Sequence, residues 1–357
     1  MDETIEQFRE CVLRASRDKT PLRVRGGGSK DWYGRELAGT VLETGRHRGI
    51  VSHEPTELVI TARCGTPLRE VEAALAAQGQ MLAFEPPHFG DSATIGGVVA
   101  GGLAGPRRQA AGAVRDFVLG ANLMNGRGEV LRFGGQVMKN VAGYDVSRLL
   151  AGSLGMLGLI TEVSLKVLPR PAAERTLRLA LDQEAALRRL NEWAGQPIPV
   201  SASAWHDGML TVRLSGAEAG VAAAARRIGG EPVPDADSFW HDLREQRHPF
   251  FAGDAAAPLW RLAVPTTAPA LEQAGPQLVE WGGGQRWLRS AEAPEAIRAL
   301  AARHGGHATL YRGGGPGDRR GEVFHPLAPA IHAIHRNLKQ AFDPAGIFNP
   351  GRMYGDL

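Results

Sequence analysis

Sixteen of the chain's 46 glycines fall between Gly90 and Gly158, interleaved with Val, Ile and Leu rather than with Ser and Pro. That spacing excludes a flexible linker, which would be polar and poor in β-branched residues. It predicts folded backbone packed closely against something planar or charged, above all in Thr94-Ile95-Gly96-Gly97-Val98-Val99-Ala100-Gly101-Gly102. A second cluster, Arg25-Gly26-Gly27-Gly28-Ser29-Lys30, follows a short strand-like run containing Leu22 and Val24. Glycine takes positive φ and lets backbone approach a ligand, so consecutive N–H groups there can converge on a phosphate. Two such loops suit one extended ligand.

At 357 residues the chain exceeds one typical domain, which predicts two. Its 41 basic and 38 acidic residues leave a formal charge of +3 with no basic block, which argues against a nucleic-acid partner. Cys11 and Cys64 form no Cys-x-x-Cys or Cys/His spacing, so no self-contained iron-sulfur or zinc site is expected. His304, His307, His325, His332 and His335 are scattered without an adjacent carboxylate, and no metal site is assigned to them. The acidic start leads straight into an amphipathic pattern (Ile5, Phe8, Val12) rather than a secretory signal. No apolar run nears the roughly 20 residues that span a bilayer, so the expectation is a cytoplasmic protein that meets a membrane only through partners.

Short β-type runs are expected at Thr40 to Glu43, Ile50 to His53, Leu58 to Ala62, Phe117 to Gly120, Glu129 to Phe133 and Leu159 to Val167. Thr66 and Pro67 mark the N-cap and first position of a helix ending near Gln78, and Asn125-Gly126 marks a tight hairpin turn. Pro169-Arg170-Pro171 closes the glycine-rich region and suggests a domain boundary near residue 170. Beyond it strands and helices alternate to about Tyr311, as in an α+β layer, with Asp235 to Ala257 and Gly313 to Gly321 expected as loops. Ile331, Ile334, Leu338 and Phe342 then give a helical stripe before a Pro/Gly-rich tail.

Four ordered motifs carry a family resemblance. They are the Arg25 to Lys30 loop, the Thr94 to Gly97 loop, the run from Gly143-Tyr144-Asp145 through Gly152-Ser153-(x)-Gly155-(x)-(x)-Gly158-(x)-Ile160-Thr161, and the tail Phe342-Asp343-Pro344-(x)-Gly346-Ile347-Phe348-Asn349-Pro350-Gly351. Together they resemble the vanillyl-alcohol-oxidase-type (PCMH-type) FAD enzymes, and within them the FAD subunits of multi-subunit glycolate-oxidising complexes, which share Gly305 to Leu310 as well. The resemblance implies an α+β fold. It places a two-part PCMH-type FAD-binding domain at residues 1–170, a short ferredoxin-like α+β cap at 171–330, and a helix and tail at 331–357 that return to the flavin domain.

Carried onto this sequence, the cofactor-binding positions are Arg25, Gly26, Gly27, Gly28, Ser29, Lys30, Thr94, Ile95, Gly96, Gly97, Gly152, Ser153, Gly155, Gly158, Ile160 and Asn349, with Arg352 reaching toward the ring or substrate. Relatives that bind FAD covalently often place a His after the glycine triplet, and Ser29-Lys30 here predicts non-covalent FAD. The implied activity is oxidation of glycolate or a related D-2-hydroxyacid in a complex with a second FAD subunit and an iron-sulfur subunit. A flavin subunit that only relays electrons and a self-sufficient D-2-hydroxyacid dehydrogenase remain alternatives. An NAD(P)H-dependent reductase ranks last, because no Gly-x-Gly-x-x-Gly with an acidic ribose ligand is present. Hydroxyacid oxidation needs a cation for the carboxylate and a base for the hydroxyl proton, and Arg312 and His325 are the candidates.

Overall fold

A computed structural model describes residues 2–135, 145–253, 257–272, 275–313, 319 and 321–357, so Gly143 and Tyr144 of the third motif lie outside the described residues. The chain opens with α1 (Glu3–Asp18), N-capped by the Asp2 carboxylate, which accepts from Thr4 N–H at 3.0 Å. A parallel pair follows, β1 (Leu22–Arg25) and β2 (Thr40–Glu43). β3 (Ile50–Glu54) and β4 (Val59–Arg63) come next, then α2 (Leu68–Ala77) and the short β5 (Gln80–Met81). Pro67 is the N-cap of α2, one residue later than expected, because the Thr66 hydroxyl is held by the Arg63 carbonyl at 2.7 Å and by Gly49.

The glycine segment folds as α3 (Ile95–Gly101), whose Thr94 N-cap accepts from Gly97 N–H. After α4 (Arg108–Ala111) a hairpin forms from β6 (Val118–Met124) and β7 (Val130–Gly134). Its turn runs from Asn125 to Glu129, with Gly128 at φ +73 supplying the left-handed residue rather than a two-residue Asn-Gly turn. α5 (Val146–Leu149), β8 (Leu159–Lys166) and β9 (Leu168–Pro169) complete the region. The strands form one antiparallel sheet in the order β3-β4-β8-β6-β7. β8 is buried on both faces, and α2 and α3 drive Leu68, Val71, Leu75, Ile95, Val98 and Val99 onto it. Each such side chain contributes about 1.5–3 kcal/mol relative to exposure.

The cap is larger than one ferredoxin-like unit. β10 (Ala173–Ala180), α6 (Gln183–Ala194), β11 (Val200–His206), β12 (Met209–Gly216), α7 (Glu218–Ile228) and β13 (Glu231–Pro232) make the first unit. α8 (Ala236–Arg244) and α9 (Pro249–Ala252) lead into β14 (Leu259–Ala263), β15 (Gln277–Glu280), β16 (Gln285–Arg289), α10 (Pro294–Arg303) and β17 (His307–Arg312), the second. The eight-stranded antiparallel sheet runs β13-β10-β12-β11-β15-β16-β14-β17. Read from each outer edge inward, both halves have the order fourth, first, third, second, so two βαββαβ-like units meet through β11 and β15. In the second unit no helix occupies the position of α6 among the described residues.

Two expectations are corrected. The stretch Asp235 to Ala257, expected as a loop, contains α8 and α9, which bury Trp240, Leu243, Phe250 and Phe251 in one cluster with Tyr33, Leu103, Trp287 and Tyr311. The last helix, α11 (Pro329–Phe342), buries only the end of its apolar stripe: Phe342 packs on the sheet core against Phe133, but Ile331 and Ile334 are 45% and 53% exposed. Its buried side chain is Lys339, whose ammonium donates to Met156 O at 2.8 Å, Phe348 O at 2.7 Å and the Asp343 carboxylate at 2.7 Å. A polar latch at Lys339, together with Phe342 on the core, fixes the C-terminal end of this helix.

Candidate functional site

The cradle is built where β1 ends. Gly26, Gly27 and Gly28 turn the chain away from the sheet, and no protein acceptor among the described residues takes the backbone N–H of Gly26, Gly27, Gly28, Ser29 or Lys30. Five successive N–H groups without a partner is an arrangement folded chains avoid unless water or a ligand accepts them. The loop is held from behind. Asp31 takes Arg25 Nε at 3.1 Å and pairs with Arg23, while Arg25 Nη1 reaches Glu43 at 3.3 Å. Arg25 therefore braces the loop, its charge already met by carboxylates.

The second glycine loop closes onto the first. A Cβ on Gly26 would sit 2.3 Å from Thr94 Oγ1, and one on Gly27 would sit 1.4 Å from Ser92 O. Gly96 leaves no room against Cys64, where a Cβ would approach to 2.6 Å. The third loop joins through main chain, Gly152 N–H donating to Val99 O and Leu154 N–H to Ala100 O, each at 2.9 Å. The tail then clamps both. Asn349 Oδ1 accepts from Val24 N–H at 2.9 Å, and its Nδ2 donates to Leu154 O at 2.6 Å. Phe348 pairs with Leu22 in a parallel bridge, so the last residues of the chain complete the sheet edge that carries the cradle.

Two adjoining hollows result, sharing walls at Val24, Gly26, Gly97, Ala100, Leu154 and Asn349. Their walls carry Arg25, Gly26, Gly27, Gly28, Ser29, Lys30, Thr94, Gly97 and Asn349 in one, and Gly96, Gly155, Gly158 and Ile160 with Cys64 in the other. Three of the expected residues lie elsewhere. Ile95 is fully buried in the sheet core, its side chain turned away by the helical twist of α3. Gly152 and Ser153 face a surface groove beside α11, on the far side of the loop whose next residues line the hollows. Ala100 and Gly101 of the Thr94 to Gly102 segment also line the walls, as do Tyr33, Leu154 and Cys64, which no motif marks as cofactor-binding. Their signal was only adjacency to the motifs.

Two cations stand at the cradle end. Arg352, 5% exposed, is fixed by the carbonyls of Arg35 at 2.5 Å and Asp31 at 2.9 Å. Lys30 lies over the Phe89 ring at 5.6 Å and donates to His88 O at 3.3 Å. Burial pushes its ammonium down to about 8, with the Glu245 carboxylate opposing. An anion in the cradle favours the ammonium and restores a higher pKa, so binding takes up a proton above pH 8. Flavin affinity is therefore expected to fall about tenfold between pH 7 and pH 9. Lys30→Met should weaken binding at pH 7 and flatten the profile, as read by flavin fluorescence titration; parallel profiles for the two proteins would remove Lys30 from the site.

The structure does not bring Arg312 and His325 together. His325 Nδ1 receives Ala308 N–H at 3.4 Å near the start of β17, whereas Arg312 ends that strand, about 13 Å further along. Arg312 instead stacks over Trp32 at 4.5 Å, within an aromatic cluster of Trp32, Tyr33, Phe89, Tyr311 and Phe324. Among the described residues no group of three His, Cys, Asp or Glu side chains is arranged for a metal, and no helix is long and apolar enough to cross a membrane.

Comparison with known proteins follows this geometry. Residues 3–134 match the FAD binding domain family, and residues 284–353 match the C-terminal domain of FAD linked oxidases. The glycolate oxidase subunit GlcE of Escherichia coli K12 is 51% identical over 348 residues, covering 98% of this chain and 97% of that protein. The glycolate oxidase subunit GlcD of Bacillus subtilis is 30% identical over 174 residues, 48% of this chain but 37% of that protein. Among solved structures, alkyldihydroxyacetonephosphate synthase superposes with a TM-score of 0.68 over 97% of this chain and 74% of its own at 16% identity, a likeness of fold. Half identical to GlcE along nearly the whole of both chains, and sharing both halves of the oxidase architecture, the chain belongs to the FAD-linked oxidase family of glycolate oxidase GlcE subunits.

Proposed function

We propose that the chain is the FAD-carrying subunit of a complex that oxidises glycolate, or a related D-2-hydroxyacid, to the 2-oxoacid. The observation that carries this is the run of five unpartnered N–H groups from Gly26 to Lys30, facing Thr94 and closed by Asn349. Those donors suit the pyrophosphate, with Lys30 and Arg352 supplying charge. The adjoining hollow past Gly96, Gly155, Gly158 and Ile160 suits the rest of the dinucleotide. Bound there non-covalently, FAD supplies a two-electron acceptor that the side chains lack.

In this reading electrons leave through a second flavin subunit and an iron-sulfur subunit, and the complex meets the inner face of the membrane through those partners. A flavin that only relays electrons is the second reading, favoured by the aromatic packing that occupies Arg312. An anaerobic visible spectrum of the purified chain, then of the complex, before and after glycolate and D-lactate, separates the two. Bleaching of this chain's flavin by a hydroxyacid is the expected result in the complex. A flavin that stays oxidised there while the partner's is reduced would establish the relay, and a chain that takes up no FAD would sink both.

A further inference from the structure

Partly buried arginines elsewhere in the molecule are consumed by the protein. Arg107 meets Glu85 and Glu174, and Arg213 meets Glu85. Arg286 donates to the carbonyls of Gly283, Ala268 and Pro269. Arg261 is different. It projects from the middle of β14, opposite Thr309 of β17 and Trp287 of β16, and its one protein acceptor among the described residues is Tyr33 Oη, at 3.0 Å from Nη2. No carboxylate of the described residues lies within ion-pair distance of it. The Tyr33 and Tyr311 rings, 5.5 Å apart, pack on one side of the guanidinium at 5.8 and 5.3 Å.

More positive charge gathers around it. Arg108, on α4 of the flavin domain, stacks on Trp281 at 4.1 Å, and His307 stands on the strand beside Arg261, two residues along the ladder. Burial first, and the Arg261 charge second, disfavour the charged forms of both Arg108 and His307. The nearest acid acting on Arg108 is Asp116, and the other groups facing His307 are His325 and Arg108. Two guanidinium groups, Arg261 and Arg108, therefore come together beside a neutral His307, a local field that concentrates anions. Tyr33 joins this cluster to the cofactor site, since it also lines the first hollow five residues after Gly28.

We propose that Arg261, with Tyr33 and backed by Arg108 and His307, binds the carboxylate of the small acid that this subunit handles. The proposal rests on the hydroxyacid reading above and assigns the position that Arg312 was expected to fill. With no carboxylate partner, the guanidinium keeps parallel N–H donors that can take a carboxylate bidentately.

The test uses the FAD-loaded complex and oxalate, a carboxylate with no hydrogen to lose, titrated by its perturbation of the flavin spectrum. Glycolamide is the uncharged control. Arg261→Gln is expected to weaken oxalate by about 30-fold or more while FAD content is retained. Arg261→Lys, which keeps the charge without the fork, should fall between the two, and Arg108→Gln should cost severalfold; either variant keeps the test open if Arg261→Gln does not fold. Unchanged oxalate affinity in Arg261→Gln, equal affinity for oxalate and glycolamide, or an effect confined to the flavin's reduction potential would each overturn the site. Bleaching by glycolate with no oxalate binding would remove this site and leave the hydroxyacid reading standing. Neither bleaching nor oxalate binding would remove both.

Discussion

Gly27→Ala is expected to yield a protein that has lost its flavin. The new Cβ would lie 1.4 Å from Ser92 O and 2.3 Å from Ser92 C, closer than non-bonded atoms approach, and both are backbone. No rotamer change relieves that contact, so one of the two loops must move by more than an ångström. Overpacking of this kind costs about 1–3 kcal/mol and sometimes more. Because the displaced atoms are the N–H donors themselves, FAD affinity should drop at least about 100-fold, near 2.7 kcal/mol. Gly45→Ala is the matched control. Its Cβ meets nothing within 4 Å and its backbone needs no positive φ, so it should stay within about 0.5 kcal/mol of the parent. Equilibrium dialysis against FAD reads both, and a Gly27→Ala protein binding within threefold of the parent would dissociate the glycine loops from the cofactor.

Asp343→Ala is expected to be the most destabilising single change in the tail. The carboxylate is fully buried and accepts from Lys339 Nζ at 2.7 Å, Ile347 N–H at 3.1 Å and Phe348 N–H at 2.8 Å. Removing it strands a buried ammonium and two backbone donors, a loss of about 3–5 kcal/mol. Melting temperature should fall on the order of 6–10 °C, with flavin binding weakened alongside because Asn349 is no longer held between Val24 and Leu154. Lys339→Met should cost less, since Asp343 keeps its two N–H donors. Calorimetry of the pair decides it: equal losses for the two variants would mean that the ammonium, rather than the turn, sets the tail's position.

The strands were legible because Val, Ile and Leu recur in short runs between turn residues, and β2 spans Thr40 to Glu43 as read. α3 was obscured by Gly96, Gly97 and Gly101, each costing a helix about 1 kcal/mol in propensity, although the Thr94 cap was visible in hindsight. α8 was obscured by His241 and Asp242, placed between Trp240 and Leu243, and by Arg244 after them, which mask a buried stripe. α11 misled for the opposite reason: its apolar periodicity is real, but Lys339 faces inward and Ile334 outward. In the site, glycine positions declared themselves through backbone need. Arg261 did not, because what distinguishes it is a missing carboxylate and a tyrosine 228 residues away, facts that exist only in three dimensions.

The hydrogen bonds that join Leu22 to Ile347 and Asn349 carry a temporal consequence. A ribosome extends a chain at about 5–20 residues per second, N-terminus first. The Gly26 loop thus emerges well before its clamp at Asn349, which is synthesised some three hundred residues afterwards. Nascent or prematurely terminated chains would present an open loop with little hold on the dinucleotide. Flavin retention would then report that synthesis had passed Asn349, and would tell chains carrying this clamp from those truncated before it.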